Sequence, residues 1–432
     1  MAEGGIKRTA TNRSVSPPPI RRKVEATKKS SASFFTPASQ KKPNPLTWRV
    51  IGSSVVIGKY TPEKQGPISQ GKLQKVAAFD LDSTLIKTKS GNTFPRSSDD
   101  WKWLDASVPG RLKDLSSEGF QVVVFSNQKK IAIQKDIKKG QSESKSLVMF
   151  KDKLTTMLTQ LGLPISVYAA TTDAEYRKPR LGMWREFIDD YDLDVAGVDL
   201  EQSFFVGDAA GRPGDHSAAD RGFASNAALP FKTPEEFFLD QAPDTELRIF
   251  DPKSYVEAEP AEPAANFTRK HLVELVVFCG SPGAGKSSYF WTNLEPLGYE
   301  RVNQDILKTR PKCVKVAREH LQAKKSVVVD NTNAGPETRA VWTEIAKEFK
   351  IPVRCVHFLS SPELCKHNNA VRAANKELNP EARTSLPGIA FGDFKRRYSP
   401  PTLDEGFEDI ISVEFSFKGD DEAKKLWGQW WV

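Results

Sequence analysis

Cysteine is scarce in this chain: Cys279, Cys313, Cys355 and Cys365 are the four in 432 residues. Their spacing makes neither a paired metal-ligand motif nor a disulfide framework, which points to a reducing compartment, cytosolic or nuclear. Long apolar runs are missing too. The longest, 272–279, is interrupted by Glu274 and is far too short to span a bilayer. The polar, basic N-terminus lacks the apolar core of a secretory signal, and there is no internal repeat. Beyond residue 45 net charge is absent as well, with 53 Lys and Arg against 53 Asp and Glu. A duplex reader normally presents a strong basic face, so any nucleic-acid contact in the body of the protein must be a local funnel.

The whole excess of +8 therefore lies in residues 1–45, where ten Lys and Arg face only Glu3 and Glu25. That stretch is rich in Ser, Pro, Thr and Lys without apolar periodicity, and is expected to be a disordered basic tail. Its clusters Arg21-Arg22-Lys23 and Lys28-Lys29 offer a nuclear address or an electrostatic tether, so the nucleus is the expected location.

What is present is an ordinary globular composition, 38% hydrophobic and 27% charged, with length for two cores. Strand-like runs at 76–79, 121–125, 165–170 and 203–206 alternate with helical patterns at 150–161 and 183–190. Such alternation predicts α/β architecture with parallel sheets. Order weakens after Phe238, and 256–265 reads as an acidic Pro/Ala linker. A second alternating unit follows, with strands predicted at 274–279, 326–329 and 353–358. The expected division is a tail at 1–45, a first domain at 46–240, a linker at 241–268 and a second domain at 269–432.

The first chemical signal is Phe79-Asp80-Leu-Asp82-Ser-Thr84, closing a small-residue strand. Reactive groups of an open α/β sheet collect at the carboxyl ends of its strands. A carboxylate there can attack phosphorus and split one hard hydrolysis into two easier steps, with a metal to neutralise charge and an acid for the leaving oxygen. Three later strand ends add to it: Phe125-Ser126-Asn127, Arg177-Lys178-Pro179 and Val206-Gly207-Asp208.

The second signal is Gly280-Ser281-Pro282-Gly283-Ala284-Gly285-Lys286-Ser287-Ser288. Glycines in G-x-x-x-x-G-K-[ST] let backbone amides cradle donor phosphates, while Lys286 bridges the outer ones and Ser287 reaches a metal. These nine residues are the expected ATP site. An acceptor base is offered by Asp305, metal or acceptor contacts by Asp330, Asn331 and Asn333, and a lid cation by Arg372 in a helical stretch from His367. Lys395-Arg396-Arg397-Tyr398 places cations beside an aromatic, a pattern suited to single strands.

The ordered set Asp80, Asp82, Ser126, Lys178 and Asp208 resembles the haloacid-dehalogenase phosphatase superfamily. Over 46–432 the chain further resembles the eukaryotic polynucleotide kinase/3′-phosphatases. The carrying segments include Tyr176-Arg-Lys-Pro179, Val206-Gly-Asp-Ala-Ala-Gly-Arg212, Thr233-Pro-Glu-Glu-Phe237, Asp330-Asn-Thr-Asn333 and His367-Asn-Asn369. The resemblance implies a Rossmannoid phosphatase domain followed by a P-loop kinase domain. It implies Asp80 as nucleophile and Asp82 as general acid/base. Ser126, Asn127 and Lys178 would be phosphate ligands; Asp80, Asp82, Asp208 and Ser287 would hold Mg2+; Asp220 would be a supporting acid. Asp305 would activate the 5′-hydroxyl with Arg372 on the lid, and Lys308 or Arg310 would touch the acceptor strand. The substrates implied are DNA breaks with 3′-phosphate or 5′-hydroxyl ends. RNA ends, a small-molecule phosphatase joined to a metabolite kinase, and a scaffold with one dead domain remain alternatives. The animal enzymes carry a forkhead-associated domain ahead of this region; here a basic tail stands in that place. Phosphopeptide docking to repair scaffolds is not expected, and the protein is expected to act as a monomer away from membranes.

Overall fold

The computed structural model describes residues 45–62, 73–133, 143–243, 250–257, 267–375, 377–379 and 381–432. The predicted basic tail up to residue 44 and most of the Pro/Ala stretch, 258–266, lie outside the described residues.

Two sheets organise the chain. The first contains strands β1 (Leu46–Ile51), β2 (Val55–Tyr60), β3 (Val76–Phe79), β6 (Gln121–Asn127), β7 (Ile165–Ala170), β8 (Phe204–Val206) and β9 (Phe231–Lys232), while β4 (Ile86–Lys87) and β5 (Lys102–Trp103) form a separate small hairpin. Its spatial order is β1-β2-β7-β6-β3-β8-β9. From β7 to β9 neighbouring strands are parallel, whereas β1 and β2 add an antiparallel edge. A loop as short as Gly52-Ser53-Ser54 can only turn the chain back on itself, because a parallel return needs a crossover. The β4–β5 hairpin lies between β3 and β6 in sequence.

Burial on both faces explains why the central strands read as unbroken apolar runs. In β3, Ala77 and Phe79 enter one core and Val76 and Ala78 the other; Val122 and Val124 of β6 likewise oppose Val123 and Phe125. Parallel pairing of Phe79 with Val124 and with Val206 brings the carboxyl ends of β6, β3 and β8 side by side.

The second sheet is parallel throughout, in the order β11-β12-β10-β13-β14: β10 (Leu275–Cys279), β11 (Glu300–Val302), β12 (Val327–Val329), β13 (Val353–Phe358) and β14 (Ile410–Val413). Alternation again divides β10, with Leu275, Val277 and Cys279 facing one core and Val276 and Phe278 the other. Part of the stretch read as linker is built into this half. A helix at Pro252–Glu257 follows Phe250, and Phe250 and Val256 pack on Leu364, Val371 and Trp427. Among the described residues no helix is long and apolar enough to cross a membrane.

Candidate active sites

The first site is assembled around one buried lysine. Lys178 is 3% exposed, and its ammonium donates to Asp80 Oδ1 at 2.6 Å and to the Phe125 carbonyl at 2.7 Å. A second carboxylate, Asp220 Oδ1, lies 2.6 Å from the same nitrogen. The Lys178 backbone is held from both sides by Asn127, whose Oδ1 accepts from Lys178 N at 2.9 Å and whose Nδ2 donates to the Lys178 carbonyl at 3.2 Å. Asn127, expected on a phosphate, thus has its amide committed to placing Lys178. Ser126 is buried beside it, its hydroxyl accepting from Gln128 at 2.9 Å. Thr84, the last residue of the first motif, accepts from the Asp208 amide at 3.1 Å and ties the β8 end to the β3 end. Gly207 has a steric reason: a Cβ there would lie 2.4 Å from Asp220 Oδ2. Glycine lets Asp220 come close enough to serve.

Oxygens of Asp80, Asp208 and Asp220 lie within 4.8 Å of one another. Three carboxylates against one ammonium leave an excess of negative charge in a buried place. Burial first, then Asp220 and Asp208, push Asp80 well above the ordinary carboxyl range against the pull of Lys178. Burial, then Asp220, lift Asp208 to about 6. For Lys178 burial opposes the charge, but Asp220 and Asp80 outweigh it and its pKa rises. Hard oxygen donors in this excess suit a divalent cation, which would let all three carboxylates ionise. The side chain of Asp82 stands outside the trio. Half exposed, it accepts from Gln128 Nε2 at 2.5 Å and pairs with Lys153 at 3.2 Å.

The second site sits at the end of β10. Lys286 is buried, and its ammonium donates to the carbonyls of Gly280 at 2.9 Å and Ser281 at 2.6 Å. Burial lowers its pKa. Gly283 and Gly285 are left-handed, at φ +80° and +87°, and a side chain on Gly283 would meet the Cys365 carbonyl. Because β12 lies beside β10, Asp330 reaches Ser287, whose hydroxyl donates to Asp330 Oδ2 at 2.9 Å. Asn303, not Asp305, caps the short helix Gln304–Leu307, which leaves the Asp305 carboxylate largely exposed. Asn331 accepts from Gln304 N at 2.8 Å and Asn333 donates to the Phe278 carbonyl at 2.7 Å, so both brace loops.

One of the arginines at this centre is Arg383, 3.2 Å from Asp305 Oδ2 and 3.3 Å from Ser287 Oγ. Arg372, the residue expected there, donates to Asn369 Oδ1 at 3.1 Å from the helix Pro362–Ala374. Arg301 completes the cluster by donating to Asp330 Oδ2 at 2.8 Å and Ser287 Oγ at 2.8 Å, while Glu381 pairs with both Arg301 and Arg383 at 2.5 Å. Lys308 turns back onto the Asp305 carbonyl at 2.9 Å, and Arg310 opens the helix Arg310–Gln322. Arg396 and Arg397 each pair with Asp393, and Tyr398 contacts His357 at 2.8 Å.

Sequence reasoning missed Lys153, Arg301, Glu381 and Arg383. Lys153 carried a usable signal: it lies on the buried face of the helix Lys145–Leu161, among Phe150, Leu154 and Met157, where a lysine has no solvent reason to be. Arg383 sits outside any periodic pattern and had none.

A family model described as polynucleotide kinase 3 phosphatase matches residues 75–238, and one described as an AAA domain matches 311–401. The chain is 40% identical over 387 residues to the bifunctional polynucleotide phosphatase/kinase of Schizosaccharomyces pombe, covering 89% of this chain and 88% of that protein. It is 31% identical to a putative bifunctional polynucleotide phosphatase/kinase of Acanthamoeba polyphaga mimivirus, over 79% of this chain and 85% of the relative. The polynucleotide 3′-phosphatase ZDP of Arabidopsis thaliana is 35% identical over 176 residues, 38% of this chain and 24% of its own length. Both centres fall inside the span shared with the yeast protein, and the chain belongs to the bifunctional polynucleotide phosphatase/kinase family.

Proposed function

We propose that this protein repairs DNA strand breaks in the nucleus by removing 3′-phosphates and phosphorylating 5′-hydroxyls, leaving ends that can be ligated. The observation that carries the reading is the pairing, in one chain, of the lysine-bridged Asp80–Asp220 cluster with a phosphate-binding loop whose Ser287 meets Asp330.

In the first half, an Asp80 oxygen attacks phosphorus and the 3′-oxygen leaves with a proton from Asp82. Water then attacks the resulting aspartyl phosphate, giving its proton to Asp82 and releasing inorganic phosphate. Lys178 and Ser126 hold phosphoryl oxygens while Asn127 positions Lys178. Asp80, Asp208 and Asp220 would hold a Mg2+ ion, which would supply the positive charge needed for an anionic carboxylate to approach an anionic phosphate. In the second half, the loop amides and Lys286 hold the ATP phosphates. Lys286 exchanges the Gly280 and Ser281 carbonyls for phosphate oxygens as nucleotide enters. Asp305 accepts the 5′-hydroxyl proton, and Arg383, together with Arg372, faces the transferring phosphoryl group.

The test is a nicked duplex carrying 3′-phosphate and 5′-hydroxyl ends, incubated with ATP and Mg2+. Both ends should be converted and the nick should become ligatable. Hydrolysis of sugar phosphates with the nick untouched would refute the reading, and a preference for RNA ends would refute its DNA part.

A further inference from the structure

The phosphate-binding segment of the first half is held partly by residues that lie more than two hundred positions away. Pro179, next to Lys178, and Trp430 both pack against Gly222 of the helix Ala219–Asn226. Gly222 of that helix allows the three-way contact, since a Cβ there would lie 3.0 Å from Pro179 Cβ and from Trp430 Cβ and Cγ. Asn226 commits its whole amide to the same place. Its Nδ2 donates to the carbonyls of Pro179 and Trp430, each at 2.9 Å, and its Oδ1 accepts from Trp430 N at 2.9 Å. Two donated bonds and one accepted bond leave one further lone pair free and fix the backbone of Trp430 in both directions. Trp430 is 8% exposed.

Three residues earlier the same segment is anchored in the other half. The Trp427 indole donates to Asn368 Oδ1 at 2.8 Å, and its carbonyl lies 2.8 Å from His367 Nε2. Asn368 in turn donates to the Gly283 carbonyl, within the phosphate-binding loop, at 3.0 Å. Residues 427–432 are therefore tied at one end to the ATP loop and at the other to the loop that carries Lys178.

We propose that residues 427–432 are a clamp in which Trp430, through Pro179 and Asn226, positions Lys178 against Asp80. The inference rests on the reading of Lys178 as a phosphate ligand. Trp430 and Asn226 are positioning residues: neither reaches the reacting atoms, and both act through the Pro179 segment.

The experiment uses the full chain with Trp430→Ala, Asn226→Ala, the double variant and Trp430→Phe, following 3′-phosphate release and 5′-phosphorylation on oligonucleotides. Each alanine should lower the phosphatase kcat by about 3- to 30-fold, with kinase kcat held because the Trp427 anchor remains. The double variant should be no worse than the poorer single one, as expected for two residues acting through one contact. Trp430→Phe, which keeps the packing, should restore most of the rate. A lowered melting temperature with phosphatase kcat intact would overturn the clamp, and so would parallel loss of both activities. Asp80→Asn runs alongside: if it still releases phosphate, the underlying reading fails rather than the clamp.

Discussion

The two centres hold their buried lysines on different partners, carboxylates in the first and loop carbonyls in the second. In the first, the cation rests on the acids themselves: Lys178 is buried, its backbone held by Asn127, and its ammonium bonded to Asp80, Asp220 and the Phe125 carbonyl. In the second, the cations rest on groups that are not carboxylates of one acidic trio. Lys286 rests on loop carbonyls, Arg301 on Asp330, and Arg383 on Glu381 and Asp305. The difference follows from the chemistry. A nucleophile that is part of the protein has to be oriented before substrate arrives, whereas a kinase brings two substrates together and can complete its constellation as they bind.

The largest expected effect separates the halves outright. Asp80→Asn should lower 3′-phosphate release on the order of 10⁴-fold or more, as loss of a covalent nucleophile does, with 5′-phosphorylation unchanged. Lys286→Ala should do the reverse. Radiolabel transfer and phosphate release on one oligonucleotide read both, and loss of both activities from a folded single variant would end the two-centre view. Within the kinase the arginines should rank. Arg383→Ala, which removes a guanidinium beside both Ser287 and Asp305, should cost about 10²-fold in kcat, the scale of one lost charge-stabilising donor. Arg372→Ala should cost less than about 10-fold on that same scale. The reverse order, measured at saturating ATP, would mean that nucleotide binding redraws the lid.

This ranking also shows where sequence reading stops. β3, β7 and β13 match the predicted runs end to end, because small or β-branched residues there are closed off by turn formers. The clustering of Asp80 and Asp208 could be anticipated from strand ends, since parallel strands bring their carboxyl ends together, whereas Lys178 comes from the loop between β7 and the helix Gly182–Asp190. Which neighbouring side chain does each task could not. Asn127 bonds the Lys178 backbone on both sides, Asp220 rather than the Asp82 side chain joins the acidic trio, and Arg383 rather than Arg372 reaches Ser287. Each outcome depends on a loop path within a few ångströms, and composition carries no record of that. The antiparallel β1–β2 edge was missed for a related reason: Arg49 and Lys59 break its apolar pattern, and Arg49 is drawn to Asp190 at 2.7 Å across the sheet edge.

Acidity should tilt the halves in opposite directions. In chelator-treated protein Asp208 is raised to about 6, so between the ordinary carboxyl value of about 4 and that point the folded state holds a proton the unfolded chain has released. That stabilisation is complete below about 4 and is lost as pH rises through about 6. In the kinase half, burial drives His367 down to about 4. Its contribution is present above the ordinary histidine value of about 6.5 and is lost as pH falls towards 4. Melting curves from pH 4 to 7 should show the first slope shrink in Asp208→Asn, where Asp80 still holds its proton, and vanish with Mg2+, and the second vanish in His367→Gln. A Mg2+-independent profile would remove the metal from the acidic trio.

The smallest effects come from the backbone. Within three residues of Asp82 and of Asp305 stands a non-glycine residue at positive φ: Ser83 at φ +64° and Lys308 at φ +71°, the latter with ψ −35°. A Cβ in that region costs about 1–2 kcal/mol, while glycine returns about 0.5–1 kcal/mol of that through the looser unfolded chain. Ser83→Gly should therefore stabilise the protein by about 0.5 kcal/mol. Lys308→Gly starts further from a regular αL well, but it surrenders the bond from its ammonium to the Asp305 carbonyl, worth about 0.5–1.5 kcal/mol. The gain at Ser83 should consequently exceed that at Lys308 even though Lys308 is the more distorted of the two. Urea midpoints resolve a difference of this size. A larger gain from Lys308→Gly would mean that its ammonium bond contributes nothing, and that the contacts of Asp305 with Asn303 and Arg383 suffice to hold it.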